Sequence, residues 1–285
     1  MTPPSSHTTP GPSPSPPPGG MTGAAISLRG ASLSFGARTL WEGLDLDIMP
    51  GEFFAVLGPN GSGKTSFLKV LLGLQPLDTG TATVGGRPIR RGSRALGYIP
   101  QQRSFPAETP LRARDLVGLG VDGHRWGLRL RGRGDHDRRV DRLLHDVGAT
   151  SYADAPVGLL SGGEQQRLRA AQALATEPSV LLCDEPLLSL DLNHQQAVSG
   201  LINRQCREHD TAVVFVTHEI NPVIEYVDRV LYLADGRFRV GTPSEVMTGE
   251  VLSDLYGSPV EVLRSNGRIV VVGLPEDTTH HHESV

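Results

Sequence analysis

Phe53-Phe-Ala-Val-Leu57 runs straight into Gly58-Pro-Asn-Gly-Ser-Gly-Lys-Thr65, and Ser66 to Leu74 follows. The apolar run reads as a buried strand. Ser66 to Leu74 reads as a helix with Phe67, Leu68, Leu71 and Leu72 on one face. The residues between them fit G-x-x-x-x-G-K-S/T at every position. Glycines let the backbone curl so that successive N–H groups point inward at an anion, and the helix N-terminus adds its dipole. Gly58, Pro59, Asn60, Gly61, Ser62 and Gly63, with Ser66 behind them, are the expected cradle. Lys64 would reach the β- and γ-phosphates, and the Thr65 hydroxyl would bind Mg²⁺. A glycine-rich turn that binds nothing would need neither the lysine, nor the threonine, nor both flanking elements. The stretch predicts a nucleoside triphosphate site.

The 285 residues can bury one large core, with or without an inserted subdomain. A hydrophobic share of 38% and a charged share of 20% are ordinary for a soluble globular protein. The net charge of −4 supplies no global basic field for nucleic acid. Cys183 and Cys206 point to a reducing compartment and away from a disulfide framework. Cys183 ends the apolar run Val180 to Cys183, which makes it a small core residue. No apolar stretch approaches the ~18–20 residues that span a bilayer. The first residues lack the basic start and apolar segment of a signal peptide. The expectation is a cytosolic protein that reaches a membrane only through a partner.

Residues 1–20 are Pro, Ser, Thr and Gly apart from Met1 and His7, a composition with no apolar face to offset ordering entropy. A disordered leader over residues 1–25 is expected, with Met21 as the candidate true start. From Ile26 to Ile48, short-range alternation (Ile26, Leu28; Leu33, Phe35; Leu44, Leu46, Ile48) suits half-buried antiparallel strands. Thr81 to Val84 followed by Gly85-Gly86 reads as a strand and tight turn. Residues 123–142 carry seven arginines and three aspartates, and Val140 to Val147 has helical spacing. A mostly helical insertion over residues 103–165 is therefore expected, with the arginines on a solvated face. A helix from Gly163 to Thr176 follows, stopped by Pro178. The apolar strands Val180–Cys183, Ala212–Thr217 and Val230–Leu233 alternate with helices, which means a parallel sheet covered on both faces.

Two further strings carry phosphate chemistry. Val180-Leu-Leu-Cys-Asp184-Glu185 is an apolar strand ending in two carboxylates, where parallel sheets keep their ligand sites. Asp184 is placed to hold Mg²⁺ and Glu185 to polarise an attacking water, although the pair could also be a plain helix N-cap. In Leu160-Ser161-Gly162-Gly163-Glu164-Gln165, Ser161 and Glu164 make a capping box, and the two glycines leave the helix end approachable. A single nucleotide does not need two cradles so far apart in sequence. The second would serve the nucleotide of another copy.

The P-loop, the LSGGEQ string, the Asp184-Glu185 doublet, Ser189-Leu-Asp191 and Thr217-His218 resemble Walker A, signature, Walker B, D-loop and H-loop of ATP-binding cassette (ABC) ATPases. Order and spacing agree, and the resemblance covers residues 26–245, leaving 246–285 as a C-terminal extension with a polar tail. It implies an α/β P-loop NTPase fold: a RecA-like parallel-sheet core, an antiparallel β subdomain and the inserted helical subdomain. Gln101, after Gly97-Tyr-Ile-Pro100, matches the Q-loop glutamine that senses Mg²⁺ and the transport partner. Phe35 stands where the family commonly stacks a tyrosine on adenine, and a phenyl ring still offers a π face. His218 matches the γ-phosphate contact that orients the water beside Glu185.

The resemblance further implies ATP and Mg²⁺ as cofactors and a head-to-tail homodimer. In it, each nucleotide lies between one subunit's P-loop and the other's Ser161–Glu164, with Asp191 bridging. It implies polytopic membrane permease subunits docked on the helical insertion, an extracytoplasmic substrate-binding protein in the complex, and a place at the cytoplasmic face of the cell membrane. His218-Glu-Ile-Asn221-Pro222-Val223, Tyr226-Val-Asp-Arg-Val230, Asp184-Glu-Pro-Leu187 and the tail Leu255-Tyr-Gly-Ser-Pro259 with Gly267-Arg-Ile-Val270 look like zinc and manganese importer ATPases. Siderophore and haem importers share several of these strings, and an exporter subunit is the alternative within transport. A soluble ABC ATPase acting on ribosomes or DNA would usually carry two cassettes or a long coiled coil, which this chain lacks. His280-His-His282 reads as an incidental triplet in a polar tail.

Overall fold

The computed structural model describes residues 23–101, 104–122 and 133–273. Strands β1 (Ile26–Phe35) and β2 (Arg38–Ile48) pair antiparallel with Ile26 opposite Ile48. The strand β3 (Phe53–Leu57) leads through the glycine loop into α1 (Lys64–Leu71). The chain then returns as β4 (Thr79–Val84), antiparallel to β1, and turns at Gly85-Gly86 into β5 (Arg87–Pro88). After β6 (Leu96–Ile99) come α2 (Ala113–Asp122), α3 (Arg133–Asp146) and α4 (Gly162–Leu174). β7 (Val180–Asp184), α5 (Leu192–Glu208), β8 (Ala212–Val216) and β9 (Arg229–Ala234) complete the central layer. The C-terminal part holds β10 (Arg237–Gly241), α6 (Pro243–Val246), α7 (Gly249–Tyr256) and the hairpin β11 (Val260–Ser265) and β12 (Arg268–Gly273).

Among the described residues the central sheet runs β10-β9-β3-β8-β7-β6, parallel throughout except for antiparallel β10 at one edge. A smaller antiparallel sheet runs β2-β1-β4-β5. Successive residues of a strand point to opposite faces, and β3 shows both faces covered. Phe53, Ala55 and Leu57 join the core that also takes in α2, α4, α5 and α7. Phe54 and Val56 join the core shared with α1 and the antiparallel sheet. A fully buried aromatic contributes roughly 1.5–3 kcal/mol by leaving water. Phe53 and Phe215, fully buried with ring centroids 5.5 Å apart, therefore tie the two middle strands together firmly. The sequence-derived fold class holds: a P-loop NTPase with a parallel core, an antiparallel β layer and helices between β6 and β7.

Several boundaries move. The helix expected over Ser66 to Leu74 is α1, Lys64–Leu71, because the loop ends at Gly63 and the left-handed Gly73 breaks the helix before Leu74. The helix expected from Gly163 to Thr176 starts one residue earlier, directly after its Ser161 cap, and ends at Leu174. Ala25, assigned to the leader, is buried, and its N–H donates to the Ile48 carbonyl at 2.8 Å. The division expected at residue 245 falls inside α6. Strands β6 and β10 and the β11–β12 hairpin have no counterpart in the sequence reading. Met21, the arginines of residues 123–132 and His280 to His282 lie outside the described residues.

Candidate active site

The glycine loop sits at the carboxyl end of β3, between β8 and β9. Gly58 has φ 140, and a methyl group there would stand 2.0 Å from the Leu233 carbonyl oxygen, so only glycine fits. Gly63 caps α1 in the left-handed region, and no side chain satisfies the first N–H groups of the helix. Those N–H groups stay available to an anion. Lys64 Nζ donates to the Gly58 carbonyl at 2.7 Å and to that of Pro59 at 2.9 Å. Burial pushes its ammonium below the ordinary lysine value, while Glu185 and Asp184 pull the other way. Ser62 Oγ is buried and has no hydrogen-bond partner among the described residues. An orphaned buried hydroxyl and an uncapped helix end are what a polyphosphate would satisfy. ATP fits this loop.

Around the loop, Phe35, Lys64, Thr65, Gln101, Asp184 and Glu185 line one cavity of about 340 Å³. Phe35 is 77% exposed, with its ring open to a planar ligand. Asn60, Gln101 and Glu185 also line a second cavity of about 800 Å³, which takes in Gly58, Pro59 and His218. Thr65 hydroxyl, Gln101 amide and Asp184 carboxylate are hard oxygen donors, the kind Mg²⁺ takes alongside substrate phosphates. Burial pushes the Asp184 carboxyl above its ordinary value, against the hydrogen bond from the Tyr98 hydroxyl, 3.4 Å from Asp184 Oδ2. The Tyr98 hydroxyl is in turn pushed up to about 12 by burial and by Asp184.

Glu185 has φ 47 and sits in a tight turn after β7, so the alternative of a helix N-cap pair falls away. Its N–H donates to the Val216 carbonyl at 2.9 Å, which fixes it against the end of β8. His218, two residues past β8, places Nδ1 2.6 Å from Glu185 Oε2. Two strand ends thus bring together a base and an imidazole 33 residues apart.

The other glycine string lies elsewhere. Ser161, Gly162, Gly163 and Glu164 line neither cavity of the P-loop, and nor does Asp191. Ser161 Oγ accepts from the Glu164 N–H at 3.3 Å, and Glu164 Oε2 accepts from the Ser161 N–H at 2.8 Å, so the capping box is present. Gly163 has no room for a side chain, since a methyl group would fall 2.0 Å from His194 Cδ2. Asp191 caps α5 and holds His194 through the backbone N–H at 2.9 Å and ring Nδ1 at 2.7 Å. Those bonds keep its carboxyl below the usual range. Tyr98 and His194 are contacts the sequence reading missed. Tyr98 is a half-buried residue on a four-residue strand, and nothing local marks it as Asp184's partner or His194 as Asp191's.

A parallel sheet with a phosphate loop on its central strand, and a base beside it, defines a P-loop ATPase. The chain belongs to the ABC transporter family, whose model matches residues 41–188, and it is an ATPase coupled to transport. The hemin import ATP-binding protein HmuV of Thermobifida fusca (strain YX) is 34% identical over 255 residues, covering 87% of this chain and 88% of that protein. The zinc import ATP-binding protein ZnuC of Halorhodospira halophila (strain DSM 244 / SL1) is 34% identical over 236 residues, with 82% and 83% covered. Among solved structures, a metal-chelate type ABC transporter in an inward-facing conformation matches at TM-score 0.74 and 27% identity, covering 89% of this chain and 98% of its own. The ATP-binding cassette MJ0796, solved as a dimer with ADP and phosphate, matches at TM-score 0.64 and 26% identity, with 76% and 98% covered.

Proposed function

We propose that this chain powers an ABC importer of a divalent transition metal, zinc or manganese, as a head-to-tail homodimer at the cytoplasmic face of the cell membrane. Residues 26–245 are the ATPase domain, and the helical subdomain over 103–165 docks the polytopic permease subunits. An extracytoplasmic binding protein delivers the cargo. Among the described residues no helix is long and apolar enough to cross a membrane. One relative is a zinc import ATP-binding protein and another, 30% identical over 225 residues, a manganese transport system ATP-binding protein. Haem is the second reading, favoured by the larger share of this chain that the hemin-import relative covers, 87% against 82%. Uptake of labelled zinc, manganese and haem by cells lacking the gene separates the two readings.

In the proposed cycle the P-loop N–H groups and Lys64 hold the β- and γ-phosphates, and Phe35 stacks on the adenine. Thr65, Gln101 and Asp184 would hold Mg²⁺, which neutralises charge on the phosphates. A water attacks the γ-phosphorus and gives its proton to Glu185, and the bond to the β-phosphate oxygen breaks to leave ADP. His218 keeps the Glu185 carboxylate aimed. The Glu185–His218 contact on the cavity of the P-loop carries this reading.

Glu185→Gln keeps the shape but cannot take the proton, so hydrolysis should fall on the order of 10²–10⁴-fold, the usual cost of a lost general base. ATP binding should survive, because Lys64, Thr65 and Asp184 are untouched. The variant should then collect as an ATP-bound dimer in size-exclusion chromatography with Mg²⁺-ATP. Near-normal turnover would remove Glu185 from the catalytic role.

A further inference from the structure

Asn221 lies three positions beyond His218, and it makes two hydrogen bonds to a single residue far along the chain. Asn221 Nδ2 donates to the Ile269 carbonyl at 2.9 Å, and the Ile269 N–H donates to Asn221 Oδ1 at 2.8 Å. Donor and acceptor are matched as in a β-bridge, with a side-chain amide in place of one strand. Ile269 is the one buried residue of β12, at 6% exposure, and the rest of that strand is exposed. The C-terminal hairpin is thus pinned to the body of the protein where it meets the His218 loop.

That loop is short and held at both ends. Thr217 Oγ1 donates to the Glu219 carbonyl at 2.9 Å and accepts from the Glu219 N–H at 3.1 Å. Ile220 is buried in the same core as Ile269, and Asn221 closes the segment. Between these anchors His218 is exposed and touches Glu185. The cavity of about 800 Å³ is lined by Gln101, Glu185 and His218 and also by Ile269, Val270 and Val271. The hairpin is a wall of the chamber in which Glu185 works.

We propose that Asn221 is a positioning residue for hydrolysis: by clamping Ile269 it sets the loop of residues 217–221 so that His218 stays on Glu185. This rests on the reading of Glu185 and His218 given above. Misplacing a catalytic group by about 1 Å can cost up to about a hundredfold in rate, so a loosened loop should act on turnover. It should spare ATP affinity, because Asn221 touches none of the P-loop groups that hold phosphate.

Asn221→Ala should lower kcat about tenfold, within the range that small displacements of catalytic groups produce, with the KM for ATP nearly unchanged. Asn221→Asp keeps the acceptor for the Ile269 N–H but sets a carboxylate against its carbonyl, and should fall between wild type and Asn221→Ala. Ile269→Ala keeps the backbone pair and loses only packing, so it should lower Tm without the drop in kcat. In a double-mutant cycle of single-turnover hydrolysis, Asn221→Ala should add nothing to His218→Ala, because both act through one imidazole. Additive losses, or an Ile269→Ala variant as slow as Asn221→Ala, would overturn the proposal. A slow His218→Ala with a fully active Asn221→Ala sinks this inference alone. A fully active His218→Ala sinks the assigned role of His218 and the inference with it.

Discussion

Two helices in this molecule begin at glycine-rich strings, and they end their N-termini in opposite ways. At α1 no side chain caps the helix, Ser62 Oγ is orphaned, and Lys64 folds back on the loop carbonyls. At α4 the capping box of Ser161 and Glu164 satisfies the helix end from within, on an exposed surface away from both P-loop cavities. An unsatisfied end of this kind keeps its N–H donors free for an anion bound by the same chain. A self-capped, exposed end can wait without ligand and exchange its cap for an anion that arrives with a second molecule. Asp191 is bound to His194, which lies beside Gly163, and in the proposed dimer it would share that surface.

The contrast breaks most visibly at Lys64. A charge-assisted hydrogen bond is worth roughly 1.5–3 kcal/mol and each 1.4 kcal/mol is tenfold, so Lys64→Ala should weaken ATP binding about ten- to a hundredfold. Titration with a fluorescent ATP analogue reads this directly, and undiminished affinity would refute the P-loop assignment. A smaller effect sharpens the other side. Ser161→Ala removes the cap and should cost the fold about 1 kcal/mol, seen as a lowered Tm, while ATP affinity of the single chain stays put. If affinity fell in step with Tm, the α4 terminus would be serving the nucleotide of its own chain.

The central layer is legible because it rests on long-lived sequence signals. Five-residue apolar runs such as Phe53–Leu57 and Ala212–Val216, too short for a helix and rich in β-branched and aromatic residues, read as strands buried on both faces, and they are. The glycine loop and the capping box announce themselves by spacing. Four-residue β6 escapes because Gly97 and Tyr98 dilute its apolar pattern. The β11–β12 hairpin offered a signal of another kind: Asn266-Gly267, both at positive φ, is the turn that joins two such strands. What no local pattern could give is Asn221 on Ile269, or His218 on Glu185, since both are made by tertiary placement of strand ends and loops. Candidate site residues are legible one by one. The second glycine string already reads as a separate cradle in the sequence; the fold adds that its residues line neither cavity of the P-loop.

That separation is tested most directly by mixing two defective chains. Lys64→Ala spoils the P-loop and leaves the Ser161 surface whole; Ser161→Arg does the reverse, keeping ATP binding to the single chain but blocking closure over a partner's nucleotide. Each variant alone should hydrolyse almost no ATP. In a head-to-tail heterodimer, the P-loop of the Ser161→Arg chain meets the intact Ser161 surface of the Lys64→Ala chain, giving one sound composite site. The mixture should recover a clear fraction of wild-type ATPase activity. A mixture no more active than its separate components, or a Ser161→Arg variant with wild-type activity alone, would contradict it.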